Sequence, residues 1–147
     1  MKPIVYHVGL TPPPTIEEDE FQTSYCSVLQ VEYLAFHLPN EINDMLNKEP
    51  ILLLMSKNSV VGLDCWLRKH GLDSQYFRSQ EFWTVGERTK SCLMEVLGIE
   101  AFHPDQMTGK GVLKALNEKK KTKVILICGS RPQDEFINSL DSFGINY

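Results

Sequence analysis

Leu52-Leu53-Leu54-Met55-Ser56-Lys57-Asn58-Ser59 is the stretch that decides the fold, because an apolar run stops at a polar step and a helical pattern follows. The same junction recurs where the apolar run 82–85 meets Gly86, and again where 124–128 meets Gly129. In an α/β fold, strand ends that precede helices lie along one edge of the sheet, and each helix start offers unpaired backbone N–H groups. The three junctions therefore favour a ligand rich in carboxylates or phosphates.

The rest of the chain extends this alternation of strands and helices. The pattern predicts strands at 4–8, 28–36, 51–55, 81–85 and 124–128, and helices at 39–46, 58–69, 87–97, 109–118 and 133–143. Buried strands that alternate with helices predict a flavodoxin-like, doubly wound parallel sheet, because parallel strands need crossover connections and both faces must be covered. Segment 17–20 has no periodicity and predicts a loop or one ragged helical turn.

Composition and charge exclude several classes of function. The 147 residues, with 42% hydrophobic and 23% charged side chains, fit one globular domain. A net charge of -4 argues against nucleic-acid binding, since duplex affinity depends on cations that neutralise phosphates. The one basic cluster, at 119–123, is interpreted as a solvated helix end. The apolar runs are too short for a signal peptide or a membrane span, which predicts a soluble, cytoplasmic protein with no membrane partner.

Cysteine and histidine spacing gives no sign of a metal site. The cysteines are widely separated, form no Cys-x-x-Cys pair, and are interpreted as buried thiols in a reducing compartment. The histidines lack short ligand spacing. These residues are Cys26, Cys65, Cys92, Cys128, His7, His37, His70 and His103.

The three junctions also carry specific residue types. The run 54–60 is an apolar strand followed by Ser56, a variable residue, Asn58, Ser59 and Val60, and the run 84–90 contains Val-Gly-x-x-Thr, ending in Thr89. Residues 124–129 form a strand that ends in Gly129 before a further helix. In this order they resemble the corresponding segments of the uroporphyrinogen-III synthase family, and the resemblance covers about residues 28–147.

The resemblance implies a cofactor-free enzyme of tetrapyrrole synthesis that closes the linear hydroxymethylbilane into a macrocycle while inverting its last pyrrole ring. In the family, loss of a hydroxyl gives a cationic azafulvene, and a spiro intermediate follows. The substrate carries eight carboxylates and lies between two α/β lobes, held by backbone amides and by serine or threonine hydroxyls. The substrate-binding residues that the resemblance implies are Ser56, Asn58, Ser59, Gly86, Thr89, Gly129, Ser130 and Arg131.

The chain departs from the family pattern near both of its ends. Family chains begin in lobe one, cross to lobe two and return, so 1–27 is expected to be the strand and loop of an incomplete lobe one. Residues 28–147 are then the connector strand and lobe two. The family's catalytically linked tyrosine has one weak counterpart here, Tyr147, whose alternative is a strand tyrosine at a chain end. We therefore expect a shortened enzyme, or a lobe completed by other residues or by another chain.

Each candidate residue also has a structural interpretation. Ser56, Asn58 and Ser59 are natural helix N-caps, the two glycines suit tight turns, Thr89 can cap its helix, and Arg131 can be a surface arginine. At the level of function, the alternative to the enzyme is a non-enzymatic flavodoxin-like module that binds a polyanionic tetrapyrrole, a nucleotide or a protein partner. A receiver-type signalling domain is less favoured, because acidic residues are missing from the strand ends.

Overall fold

The computed structural model describes residues 4–8, 22–26, 31–33, 39–129 and 134–147, with side chains from residue 31 onward. They belong to two units, Met1–Tyr33 and Leu34–Tyr147. In the first unit, β1 (Ile4–Val8) pairs in parallel with β2 (Gln22–Cys26). The sequence predicts β1 but misses β2, because Gln-Thr-Ser-Tyr-Cys has no run of apolar residues. The predicted division into 1–27 and 28–147 stays a prediction.

The second unit contains the remaining helices and strands. They are α1 (Pro39–Leu46), β3 (Ile51–Leu54), α2 (Lys57–Lys69), a 3₁₀ helix (Ser74–Phe77), β4 (Glu81–Thr84), α3 (Glu87–Leu97), α4 (Gly109–Glu118), β5 (Val124–Ile127) and α5 (Asp134–Ser142). Each element predicted from residue 39 onward is present, with bounds that differ by no more than one residue. The predicted α/β fold, a flavodoxin-like doubly wound parallel sheet, is confirmed.

Predictions for the segment before residue 39 are only partly covered by the described residues. Of the strand predicted over 28–36, residues 31–33 are described and have no regular structure. The other residues of that prediction, and the loop predicted at 17–20, lie outside the described part of the chain. Among the described residues, no helix has the length and apolar content that a membrane crossing requires.

The sheet places β3 at its centre. The strand order is β4-β3-β5, and parallel bridges extend it on both sides, from Trp83 to Phe102 and from Lys123 to Asn146. The chain therefore moves outward from β3 through β4 to Phe102, and then crosses to the other side of β3 to form β5. Such a reversal is a topological switch point, and in doubly wound sheets ligands bind at the carboxyl ends of the strands that flank it.

The two faces of the sheet bury alternate residues of each strand. Leu52, Leu54 and Phe82 pack with α2 and α3 on one face, whereas Ile51, Leu53 and Trp83 pack with α4 and α5 on the other. Leu53, Leu54 and Trp83 have no exposed surface. Because both faces of the sheet are covered, the sequences of these strands are continuous apolar runs and do not alternate between apolar and polar residues. Full burial of one such side chain contributes about 1.5–3 kcal/mol.

The cysteine prediction is wrong for Cys65, which is exposed, whereas Cys92 and Cys128 are partly buried. Cys65 lies on α2, whose inner stripe is made of Val60, Leu63 and Leu67. Those positions follow helical spacing, and residue 65 falls outside the stripe. The side chain of Cys26 lies outside the described residues.

Helix α4 begins at a tight approach between two backbone segments. Thr108 is its N-cap, and the Thr108 Oγ1 accepts the Gly111 N–H at 3.1 Å. A Cβ atom at Gly111 would collide with the backbone carbonyl oxygen of Gln106. Gly111 is therefore required by packing and not by its backbone dihedral angles.

The amino-terminal edge of the sheet is held by a charged cluster around Glu81. The indole Nε1 of Trp83 donates to one Glu81 oxygen at 2.7 Å, and the Lys121 ammonium donates to the other at 2.6 Å. Desolvation acts to raise the pKa of Glu81, but these hydrogen bonds and the positive charge of Lys121 outweigh it and hold the pKa below its usual 4.5. The carboxylate also satisfies the donor of a buried indole.

We expect Gly111→Ala to lower the free energy of unfolding by about 1–3 kcal/mol, because the new methyl group overpacks a rigid backbone contact. This is the reverse of the usual effect of alanine in a helix, which is a gain of about 1 kcal/mol. Chemical denaturation measures the change. Gly129→Ala is the control, since a Cβ there meets nothing within 4 Å. A Gly111→Ala protein that is more stable than the wild type would contradict the close contact between Gly111 and the Gln106 carbonyl.

Glu81 makes a pH-dependent contribution to stability. Because its pKa is lowered in the folded state, the contribution is fully present above the unfolded value and is lost as pH falls through the folded value. Near neutral pH, we expect the free energy of unfolding of the wild type to exceed that of Glu81→Gln by no more than about 1 kcal/mol, since the carboxylate is partly exposed. This difference should shrink below pH 4.5. Unfolding curves of both proteins from pH 7 to pH 3 measure the difference. A difference that grows on acidification would contradict a stabilising role of the Glu81 carboxylate.

Candidate functional site

The three junctions lie at one edge of the same sheet. Leu54, the last residue of β3, is paired with Thr84 of β4 and with Ile127 of β5. The chain therefore leaves all three strands side by side, at Ser56, Gly86 and Gly129. We call this region the carboxyl edge, defined by those three residues and by the first turns of α2 and α3.

At the first junction, the serine side chains serve the start of α2. The Ser56 Oγ accepts the Ser59 N–H at 3.3 Å and lies 3.2 Å from the Ser59 Oγ. Ser59 is buried, whereas Asn58 is exposed. The structural interpretation thus accounts for Ser56 and Ser59. The backbone N–H groups of Lys57 and Asn58 have no hydrogen-bond acceptor among the described residues.

At the second junction, the start of α3 has no side-chain cap. Gly86 is the N-cap, with an extended backbone (φ -170°, ψ 176°), and its carbonyl accepts the N–H groups of Thr89 and Lys90. The N–H groups of Glu87 and Arg88 have no acceptor in the described part of the chain. Any residue can adopt this extended conformation, so a tight turn does not explain the glycine.

Close packing against a loop explains Gly86 instead. A Cβ atom there would lie 3.0 Å from the Met107 Cβ. Met107 belongs to the segment between Phe102 and α4, and it is 54% exposed. The expectation that Gly86 serves a tight turn is thus replaced by a contact with a loop that borders the same junction.

Thr89 differs from the other hydroxyl residues of this edge. It is only 8% exposed, yet its hydroxyl makes no hydrogen bond within the described residues. No fully buried side-chain oxygen or nitrogen there lacks a partner, so the Thr89 hydroxyl must reach the surface. Helical side chains lean toward the helix amino terminus, which directs Thr89 toward the uncapped turn at Gly86. By contrast, the buried Thr84 hydroxyl donates to the Gly86 carbonyl at 3.3 Å.

At the third junction, Gly129 is exposed and unobstructed. A Cβ atom at this position would meet nothing within 4 Å, so packing does not require a glycine. The thiol of Cys128 donates to the Gly129 carbonyl at 3.3 Å, and burial raises the pKa of that thiol. A protonated thiol is a poor nucleophile. Ser130 and Arg131 lie outside the described residues, and their roles stay predictions.

The structure does not bring Tyr147 together with the three junctions. Asn146 pairs with Lys123 at the start of β5, which places Tyr147 beside the amino-terminal edge of the sheet. The length of a four-residue strand, about 13 Å, separates the two edges. Desolvation and the neighbouring Asp141, which also hydrogen-bonds it, raise the pKa of Tyr147. The geometry favours the alternative of a strand tyrosine.

Two residues that border the carboxyl edge, Met107 and His103, were not predicted from the sequence. The His103 Nε2 lies 2.7 Å from the Glu87 carboxylate, at the first residue of α3. No periodicity marks the loop that carries both residues. The parallel bridge at Phe102, which returns this loop to the edge, is a tertiary contact without a sequence signal. Within the described residues, no group of three or more potential metal ligands is present.

Comparisons with known proteins agree with the resemblance. A model of the family described as uroporphyrinogen-III synthase HemD matches residues 14–147. One relative is the porphyrin biosynthesis protein HemD of Ruminiclostridium josui, which is 31% identical over 101 residues. That alignment covers 65% of this chain and 19% of the relative, so the chain corresponds to a small part of it. The chain belongs to the uroporphyrinogen-III synthase HemD family, which confirms the predicted family.

The two kinds of hydroxyl should respond differently to removal. Ser56→Ala is expected to lower the free energy of unfolding by about 1 kcal/mol, because it removes an N-cap. Thr89→Val keeps the side-chain volume and removes a hydroxyl without a partner, so the change should stay within about 0.5 kcal/mol. Chemical denaturation of both variants measures the contrast. A large loss for Thr89→Val would show that its hydroxyl has an internal structural role.

Proposed function

We propose that this chain binds a polycarboxylated linear tetrapyrrole, hydroxymethylbilane, along its carboxyl edge and acts in its cyclisation to uroporphyrinogen III. One observation carries the proposal. In a member of this family, a helix start without a side-chain cap occurs in the same turn as the mostly buried Thr89, whose surface-reaching hydroxyl has no partner within the described residues. A carboxylate is the natural acceptor for such a group of donors, because it accepts from several N–H and O–H groups at once.

Binding in this proposal uses backbone amides more than charged side chains. The donors are the N–H groups of Lys57, Asn58, Glu87 and Arg88, which have no acceptor in the described part of the chain, and Lys57 and Arg88 add exposed cations. Each helix terminus favours an anion by about 0.3–1 kcal/mol. Each hydrogen bond to a charged group contributes about 1.5–3 kcal/mol. Since amides carry no net charge of their own, they hold several carboxylates while the chain keeps a net charge of -4.

The proposal also requires a second surface over the substrate. Micromolar affinity corresponds to about 8 kcal/mol. The four amides and the Thr89 hydroxyl would give roughly 8–15 kcal/mol as hydrogen bonds to charged groups, but association and ordering cost about 4–15 kcal/mol. An open edge also leaves a cationic azafulvene in contact with water, which would react with it. We therefore propose that other residues or another chain close over the carboxyl edge during the reaction.

The chemistry proposed for the bound substrate needs no oxidant or cofactor. The protonated hydroxyl of the hydroxymethyl group leaves as water, its CH2 carbon stays as the azafulvene cation, and the substituted carbon of the last pyrrole ring attacks that carbon. The spiro intermediate then opens and recloses with that ring inverted, and a proton is lost. The carboxyl edge contributes by fixing the carboxylates, which sets the position of the reacting carbons relative to one another.

A binding module without turnover is the second candidate. It is favoured by the position of Tyr147, which the structure places at the amino-terminal edge and not beside the junctions. In that case the carboxyl edge binds the polyanionic tetrapyrrole, and another protein performs the ring closure.

Isomer analysis tests the proposal. Hydroxymethylbilane is incubated with the chain, the product is oxidised, and the type I and type III isomers are separated. We expect the chain to raise the type III fraction above that of the spontaneous reaction. Thr89→Val should lower its rate by about tenfold or more, the value of one charged hydrogen bond. Gly129→Asp should also lower it, because it adds a negative charge at an unobstructed position.

Thr122→Val is the matched control. Thr122 is an exposed threonine that follows α4 and lies beside the start of β5, at the opposite edge of the sheet. It should leave the isomer ratio unchanged. Formation of the type I isomer alone would contradict the proposed enzymatic activity. If uroporphyrin still binds in that case, the binding module stands.

A further inference from the structure

The carboxylate of Glu87 is turned away from the helix terminus that it belongs to. Acidic residues in a first helical turn are attracted to the free N–H groups there. Here one Glu87 oxygen contacts the His103 Nε2 at 2.7 Å, and the other accepts the Ser91 hydroxyl at 3.4 Å. Ser91 lies one turn further along α3. Both contacts therefore hold the carboxylate beside the helix, so that it does not lie over the N–H groups of Glu87 and Arg88.

The ring of His103 lies between two oxygen atoms. Its Nδ1 lies 3.1 Å from the Pro104 carbonyl oxygen, and its Nε2 contacts the Glu87 carboxylate. The His103 side chain is 19% exposed, and that of Glu87 is 55% exposed. The contact between the two side chains is thus partly shielded from water, and it lies next to the start of α3.

We infer that His103 is a positioning residue that keeps the amino terminus of α3 open to a ligand carboxylate, by holding the carboxylate of Glu87 aside. This inference rests on the proposed function, and it adds a device that prevents the protein's own carboxylate from occupying the ligand position. Thr89 supplies the independent sign that a ligand belongs there, because its mostly buried side chain leans toward the same turn, and its hydroxyl reaches the surface without a partner among the described residues. His103 acts through Glu87 and does not contact the ligand.

A double-mutant cycle tests the inference, with uroporphyrin III, an octacarboxylate porphyrin, as the probe. Its affinity is measured by fluorescence for wild type, His103→Ala, Glu87→Gln and the double variant. We expect His103→Ala to weaken binding by about tenfold, since the released Glu87 charge competes with the ligand. Glu87→Gln should bind at least as well as wild type. The double variant should bind within about twofold of Glu87→Gln, because no charge remains to be held aside.

A merely structural role for His103 would not produce this rescue. A double variant that binds as weakly as His103→Ala overturns the inference, and so does a His103→Ala protein that binds like wild type. His103→Gln, which keeps a donor toward Glu87, replaces His103→Ala if unfolding curves show that the alanine variant is not folded. Lys114→Ala with Glu118→Gln is the matched control, an exposed ion pair at 3.8 Å on α4. Neither control substitution should change the affinity.

A ligand-free measurement separates this inference from the proposed function. Wild-type protein that does not bind the porphyrin contradicts the proposed function alone. The inference is then tested by NMR, through the amide resonances of Glu87 and Arg88. These should shift in His103→Ala, as the carboxylate moves over them, and should return toward their wild-type positions in the double variant. Unchanged resonances in His103→Ala would overturn the inference.

Discussion

The parallel pairing of β3 with its two neighbours is the constraint on which the rest of this structure depends. Because Leu54 stands opposite both Thr84 and Ile127, three successive chain segments leave the sheet at the same edge. A single change of strand direction would send one junction to the opposite edge, about 13 Å away. The buried, continuously apolar strands enforce this register from both faces, through the two helix layers. The carboxyl edge is thus a consequence of core packing.

The three junctions are alike in topology but differ in how they satisfy their backbone groups. Ser56 caps α2 with its own hydroxyl, whereas Gly86 has no side chain to offer α3. Within the described residues, the second junction therefore combines amides that have no acceptor with the Thr89 hydroxyl, and His103 holds the neighbouring Glu87 carboxylate. Because of these features, the start of α3 is the centre of the proposed site, and the other two junctions contribute less. Gly129 contributes open space.

The sequence was sufficient for features that depend on local pattern. Strands β3, β4 and β5 are apolar runs that end at polar or glycine residues, so each was predicted correctly. Features that depend on distant contacts were missed. Strand β2 is polar, and the position of Tyr147 follows from the Asn146 bridge. The approach of His103 to Glu87 requires the return of a whole loop to the edge. Cys65 was misjudged because one residue's shift around a helix decides its exposure.

The central claim is that free amide groups at the carboxyl edge receive the carboxylates of a tetrapyrrole. The most direct measurement is a titration of the ¹⁵N-labelled chain with uroporphyrin III, followed through its backbone amide resonances. This account predicts the largest shifts at Lys57, Asn58, Glu87 and Arg88, with Thr122 and Tyr147 unaffected. Shifts confined to the amino-terminal edge, or spread evenly over the surface, would contradict it.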